Sequence, residues 1–388
     1  MSKWGMVRLG DVGAIVTGNT PKTSEEQNYS SNDLSFFKPG DIAEDTISSL
    51  SSSQDFISDH ARSQCRLIPP NSVLVTCIGI IGKVGITVHE STCNQQINAI
   101  IPDLNKCDPG FLAYAVSRTK SEMNHVANAA VVPIINKSQF SNIRIPLPPL
   151  PVQQQIADVL DRASALIEKR KAQIAKLDLL VKSQFIEMFG DPLTNSRNMP
   201  AEPLGELCNI FRGGSPRPID QYLGGTIPWI KIGDATGGDD TYLHSTKDFI
   251  IEDGMKKSRC VKSGSLIFAN CGVSLGFARI ITFDGCIHDG WLSFEDIDER
   301  LNKEFLLKSL NHCTAYFRDT APDGTQPNLN TGIMKSFRQI LPPLPLQNRF
   351  ADFVRAADKL KVEMQRGLGK LELLYKSLMQ KCFNGEIF

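Results

Sequence analysis

The chain states one stretch of itself twice. Residues 148–158 read PPLPVQQQIAD and residues 342–352 read PPLPLQNRFAD, an offset of 194 (342 − 148). The match runs on without a gap: KLDLLVKS at 176–183 stands against KLELLYKS at 370–377, and Phe189 against Phe383. Such a register means that one structural unit was duplicated. The offset is far longer than the roughly 20–50 residues of solenoids and propellers. Two copies of a whole module follow.

The repeated stretch predicts a long helix in each copy. In the first, Ile156, Leu160, Ala163, Ile167, Ile174, Leu177 and Val181 recur at three- and four-residue steps, with Arg170 filling the one gap. In the second, Phe350, Val354, Ala357, Lys361, Met364, Leu368, Leu371, Tyr375 and Leu378 hold the same places. A period near 3.5 is the pattern of a coiled-coil seam rather than a free surface helix. Pro151 and Pro345 suit the first turn, where a missing N–H costs nothing. Gly190-Asp191-Pro192 ends the first helix. Gly367 and Gly369 weaken the second unless something packs closely there. From Val152 to Phe189 such a helix is about 57 Å long, and one seam of that length needs a partner. The sister copy carries the same seam; the alternative is that each helix lies on its own domain.

Fainter pairs precede each helix. Leu9-Gly10-Asp11 and Gly18-Asn19-Thr20-Pro21 answer to Leu204-Gly205-Glu206 and Gly213-Gly214-Ser215-Pro216. Phe36 to Ile42 answers to Pro228 to Asp234, and Ser72 to Val75 to Ser265 to Phe268. Between these anchors the stretches differ almost completely. The plan is domain, long helix, domain, long helix: 1–147, 148–192, 193–341 and 342–388. Within the first domain, β-branched Val73–Cys77 and Val84–Val88 flank Gly79 to Gly82 as a hairpin, and Gln96–Ile101 continues the strands. Asp108-Pro109 opens a helix to about Met123. The second domain repeats this with strands 265–269 and 277–282 and a helix near 301–317. Each domain closes on a short polar turn, 136–142 or 330–336.

Composition narrows the function. The most apolar run, 73–82, is too short to span a bilayer, and no charged leader opens the chain; no membrane is expected. Ten cysteines lie scattered without a CxxC pair or His cluster, which points to a reduced cytoplasmic protein with buried thiols and no metal. Gly79 to Val84 is too short for a phosphate loop and lacks Ser or Thr after Lys83. His60, His89, His125, His244, His288 and His312 have no partners at ligand spacing, and the acid pairs Asp239-Asp240 and Glu295-Asp296 read as surface loops. No catalytic residue and no cofactor are expected. Net charge is zero, with only 346–388 basic at 8 Lys+Arg against 5 Asp+Glu. Basic surplus is the usual footprint of a nucleic-acid binder, so charge here would have to be sorted onto one face, or a partner would have to supply much of the phosphate contact.

This arrangement resembles the specificity subunit of type I restriction-modification systems. The resemblance spans the chain and rests on Ile145 to Pro151 through Gln155-Ile156-Ala157 and on Leu341 to Gln347. Supporting marks are Trp229 to Asp234, Asn94-Gln95-Gln96, and Gly324-Thr325-Gln326 before Asn328-Leu329. The first domain departs with Ala129 to Ile134 in place of the Gly-Thr-Gln stretch and Phe37-Lys38-Pro39 in place of Trp-Ile-Lys. The resemblance implies a mixed α/β (α+β) fold of two globular target-recognition domains joined by two long antiparallel coiled-coil helices with a pseudo-two-fold internal repeat. It also implies a non-catalytic chain that reads a split, non-palindromic double-stranded DNA target. Its partners would be two methyltransferase subunits and translocase/nuclease subunits.

Candidate DNA contacts follow from side-chain chemistry. Arg212 and Arg217 flank a Gly pair, suited to phosphate or guanine; Thr20 and Lys22 hold the matching place in the first domain. Gln95 and Gln96 could address adenine or mark an ordinary strand end, and Lys256, Lys257 and Arg259 form the densest basic cluster, whose other reading is solvated charge. The rival reading is a coiled-coil assembly scaffold that reads no DNA, favoured by the zero net charge. Two divergent domains inside one matched framework argue against it.

Overall fold

The computed structural model describes residues 3–127, 132–237, 240–272, 274–321 and 328–388. The chain divides into two compact units, Met1–Lys171 with Gly367–Phe388, and Ala172–Arg366. Each is mixed α/β, and the two repeat one topology.

In the first unit, five strands run in the order Gly13–Thr17, Ile97–Pro102, Val73–Thr76, Val84–Thr87, Ser48–Leu50. The second unit has Asn209–Arg212, Trp291–Glu295, Leu266–Ala269, Ala278–Ile281, Tyr242–Leu243 in the same order. In both, the last strand joins parallel and the others antiparallel. The central strands Val73–Thr76 and Leu266–Ala269 are buried at every residue, as runs of β-branched and aromatic side chains favour. A smaller sheet abuts each. Leu34–Phe37 lies between antiparallel Asp55–Ile57 and parallel Ser91–Cys93, while Leu223–Ile230 lies between Asp248–Ile250 and Gly285–Ile287. Here Phe36 pairs with Thr92 as Trp229 pairs with Cys286. The first domain's departure from Trp-Ile-Lys is therefore a one-residue shift: Phe36 takes the place of Trp229 and Lys38 that of Lys231.

The two long helices are Leu150–Phe189 and Leu344–Asn384. Each is closed by a left-handed glycine, Gly190 (φ 74°) and Gly385 (φ 74°), the conformation glycine adopts at least cost. They pair antiparallel within each unit. In the first, Lys171 lies 4.0 Å from Glu372, while Ile156 and Leu160 share a core with Leu378, Cys382 and Phe383. In the second, Lys361 donates to Asp178 at 2.6 Å, and the rings of Phe185 and Phe350 lie 5.4 Å apart. Of the seam positions, Ile156, Leu160, Val181, Phe350, Val354 and Ala357 are buried. Ala163, Ile174, Leu177, Leu368, Leu371 and Leu378 are half-buried. At Gly367 an added Cβ would sit 3.0 Å from the Arg170 guanidinium, and at Gly369 it would meet nothing.

The glutamine of the repeated motif is a structural tie. Gln153 accepts from Asp108 N (2.9 Å) and donates to Lys106 O (2.9 Å) and Pro148 O (2.8 Å). Gln347 accepts from Asn302 N (2.8 Å) and donates to Arg300 O (2.9 Å) and Pro342 O (2.7 Å). Asp108 and Asn302 in turn cap the next helices by accepting from Phe111 N and Phe305 N. Phe111 then stacks on Phe383, and Phe305 meets Phe189 edge-on.

Three sequence expectations change. The polar turns are short helices, Lys137–Asn142 and Thr331–Ser336, because Asn136 and Asn330 accept from the N–H three residues on. The helix from Pro109 ends at Ser117 and restarts as Lys120–Val126. Not all thiols are free: Cys260 and Cys286, directly opposed on adjacent strands, form a disulfide, and the other eight remain free. A separation of 26 residues gave no motif to read. Among the described residues no helix is long and apolar enough to cross a membrane, and no cluster of His, Cys, Asp and Glu could hold a metal.

Candidate nucleic-acid interface

Most of the candidates converge on one place in each unit. In the first, the strand Gly13–Thr17 runs into Gly18-Asn19-Thr20-Pro21, and Gly18 N donates to Ile97 O. A Cβ on Gly18 would lie 2.2 Å from Cys93 O and 2.3 Å from Asn94 O. Only glycine lets the loop lie flat on the segment Cys93 to Gln96. Thr20 then donates its hydroxyl to Gln95 Oε1 at 2.7 Å. Asn94 folds back to accept from Gln96 N (3.1 Å), and its amide donates to the Gln96 side chain. Asn19 accepts from Arg66 N, and Arg66 donates to Thr17 O.

The second unit builds the same device from other residues. Gly213 N donates to Trp291 O, and a Cβ on Gly213 would lie 2.2 Å from His288 O. Ser215 donates to Asp289 Oδ1 at 2.9 Å, where Thr20 meets Gln95. His288 Nδ1 accepts from Gly290 N at 2.9 Å, the counterpart of the Asn94 turn. With Nδ1 accepting, Nε2 carries the proton and donates to Asp289, 3.0 Å away. Burial, with the nearby Arg217, Lys231 and Arg212, pushes the His288 pKa down against the pull of Asp289, keeping the ring neutral. Burial works against the Asp289 carboxylate, yet the Ser215 hydroxyl, His288 and the guanidiniums of Arg217 and Arg212 hold its pKa below the ordinary value.

Arg212 donates Nε to Asp289 O at 2.8 Å, and Arg217 reaches Asp289 Oδ2 at 3.3 Å with 78% of its side chain exposed. Lys257 lies over Tyr222 and bonds its hydroxyl. Ser258, between Lys257 and Arg259, donates to Gly214 O at 2.7 Å. Arg259 is paired with Glu295 at 3.0 Å and stacks on Phe211 at 3.8 Å. The structure thus gathers Arg212, Arg217, Lys257 and Arg259 around one glycine loop. Lys256 points instead to Asp253 (2.8 Å), and Lys22 to Glu25 (3.2 Å). Gln96 is half-buried, and its side chain accepts from the Asn94 amide.

Asp289, His288 and Arg66 were missed as parts of this site, and Asn94 was noted in the sequence only as a mark of the resemblance. Their signal was there: counted back from the strands beginning at Ile97 and Trp291, Gln95 and Asp289 fall at the same offset of 194. The marks at Gly324-Thr325-Gln326 and Ala129 to Val131, and Asp239 of the acid pair, lie outside the described residues. Asp240 is described, and is no idle surface acid: it pairs with Lys308 at 3.2 Å and Lys361 at 3.6 Å.

The neutral total charge now has a local meaning. Of the basic candidates, Lys22, Arg217, Lys256 and Arg259 are paired with carboxylates, and exposed pairs contribute little and are screened by salt. Phosphate oxygens can compete for such cations.

A family model described as the type I restriction modification DNA specificity domain matches residues 1–177 and 200–372. The MjaIX type I restriction enzyme specificity subunit of Methanocaldococcus jannaschii is 24% identical over a 414-residue alignment covering 99% of this chain and 93% of that one. The crystal structure of a type I restriction-modification S subunit from M. genitalium superposes with a TM-score of 0.60 at 16% identity, over 98% of this chain and 96% of that one. A chain from a structural study of complex assembly and conformational transition in a type I system gives 0.64 at 18% identity, over 99% and 98%.

Proposed function

This chain belongs to the type I restriction-modification DNA specificity family, and we propose that it reads a two-part, non-palindromic duplex target for the methyltransferase and nuclease subunits of its complex. As a specificity subunit it recognises DNA and does no chemistry itself. The observation that carries the finer reading is the pair of glycine loops. One framework, Gly18-Thr20-Gln95 and Gly213-Ser215-Asp289, presents different side chains in its two copies. Different chemistry on one frame means two different half-sites. The two domains are joined by helices of 40 and 41 residues, and in two-headed DNA readers the half-site spacing follows from the separation of the modules.

Exposed leucines on the long helices support docking of two copies of one partner. Leu166, Leu373 and Leu374 are exposed in the first unit, and Leu360, Leu179 and Leu180 in the second. These are the same repeat positions at the offset of 194. Large exposed apolar side chains that recur at matched positions fit an interaction surface, and a set built twice fits two methyltransferase subunits, one on each.

The test is to co-express the chain with its methyltransferase and map methylated adenines across the host genome. A single split motif with a constant gap is expected. A stable complex that adds no motif would refute DNA reading and leave the scaffold.

A further inference from the structure

We propose that residue 95 in the first unit and residue 289 in the second are one base-reading position, set by Gln95 for an A·T pair and by Asp289 with Arg217 for a C·G pair. The assignment rests on the DNA-reading function proposed above and adds to it which residue discriminates and what it prefers.

The geometry is shared down to single bonds. Each residue stands two positions before the strand that follows, Ile97–Pro102 or Trp291–Glu295. Each accepts a hydroxyl from the residue preceding the loop proline, Thr20 at 2.7 Å or Ser215 at 2.9 Å. Each follows a residue whose side chain accepts from the N–H two positions on, Asn94 or His288. A cation stands two residues after the hydroxyl in both, Lys22 or Arg217. The hydroxyl holds the presented side chain, and the back-folded neighbour fixes the turn that carries it, so little rotamer freedom is lost on contact.

What differs is the hydrogen-bonding pattern presented. Gln95 is exposed, and Thr20 fixes its Oε1. One lone pair of that oxygen and the amide N–H groups are left to meet N6 and N7 of adenine, the bidentate match for glutamine. Asp289 is ionised and only accepts, which suits the N4 amino group of cytosine. Arg217, held 3.3 Å from Asp289 Oδ2 and largely exposed, supplies the donor fork that suits O6 and N7 of the guanine. An acceptor and a fork side by side match the two bases of one C·G pair. In the first unit the corresponding cation, Lys22, is turned to Glu25, and Gln95 reads alone.

The experiment is selection of bound duplexes from a randomised library by the full-length chain co-purified with its methyltransferase. Wild type, Asp289→Gln and Gln95→Asp are compared. Wild type should select a split motif with A·T at one position of one half and C·G at the corresponding position of the other. Asp289→Gln should shift preference there toward A·T by about tenfold or more, leaving the other half unchanged as an internal control for folding. Gln95→Asp should do the converse in its own half. Unchanged motifs in both variants overturn the proposal. So does loss of a whole half-site without a new preference, since that marks a residue that only supports its loop. A wild-type chain that selects no split motif instead brings down the DNA-reading function itself, before any variant is compared.

Discussion

Replacing Gln347 by leucine tests whether the repeated motif is a structural tie. The side chain is fully buried and serves three backbone groups: Asn302 N–H, Arg300 C=O and Pro342 C=O. Leucine fills a similar volume and satisfies none of them. A buried polar group stripped of its partner costs about 1–3 kcal/mol, so three cost about 3–9 kcal/mol. The added apolar side chain returns about 1.5–3 kcal/mol. The expected net loss is about 1.5–6 kcal/mol, the low ends and the high ends of the two ranges taken together. Equilibrium urea unfolding followed by tryptophan fluorescence reads it, because Trp229 and Trp291 are both buried in the second unit. Gln153→Leu removes the same three bonds from the first unit and should leave the fluorescence of those two tryptophans at their wild-type midpoint. A Gln347→Leu chain within about 1 kcal/mol of wild type would refute the reasoning, since it would mean that the stranded groups find water or each other.

Three further outcomes are expected. Leu177→Glu with Leu371→Glu places a charge at a matched half-buried seam position in each helix, and should lower helical content by circular dichroism and abolish co-purification with the methyltransferase; unchanged helicity and assembly would exclude the seam. Asp240 has its pKa held below the ordinary 3.8: burial raises it, but Lys308 and Lys361 outweigh that. A carboxyl depressed in the folded state stabilises above its unfolded pKa and loses that contribution as pH falls through the folded one. The urea-midpoint gap between wild type and Asp240→Asn should therefore be full near neutrality and close below about pH 4; a gap that widens on acidification would reverse the sign. Gly213→Ala drives a Cβ to 2.2 Å from His288 O and 2.7 Å from Ile287 O, which backbone cannot relieve. The loop must move, and methylation mapping should show the second half-site lost while the first is still read.

The sequence carried the architecture because the repeat and the seam are local, periodic signals. The offset of 194 holds from Val84 against Ala278 to Phe189 against Phe383, and glycine ends each helix where the pattern stops. The site was half legible. Arg212 and Arg217 stood out by type and Gln95 by its amide, but nothing linear joined the two arginines to Asp289, which gathers Arg212, Ser215 and Arg217 from 72 to 77 residues away.

Other decisions belonged to the tertiary structure alone. That Asn136 and Asn330 start helices rather than turns depends on which N–H each amide meets. That Cys260 joins Cys286 depends on cross-strand register. That Lys361 can lie buried in an apolar seam depends on Asp178 and Asp240 converging on it, the first from 183 residues away. Periodicity along the chain determines which elements form, since it acts between neighbours. Which carboxylate, amide or thiol meets which partner is settled only when those elements pack.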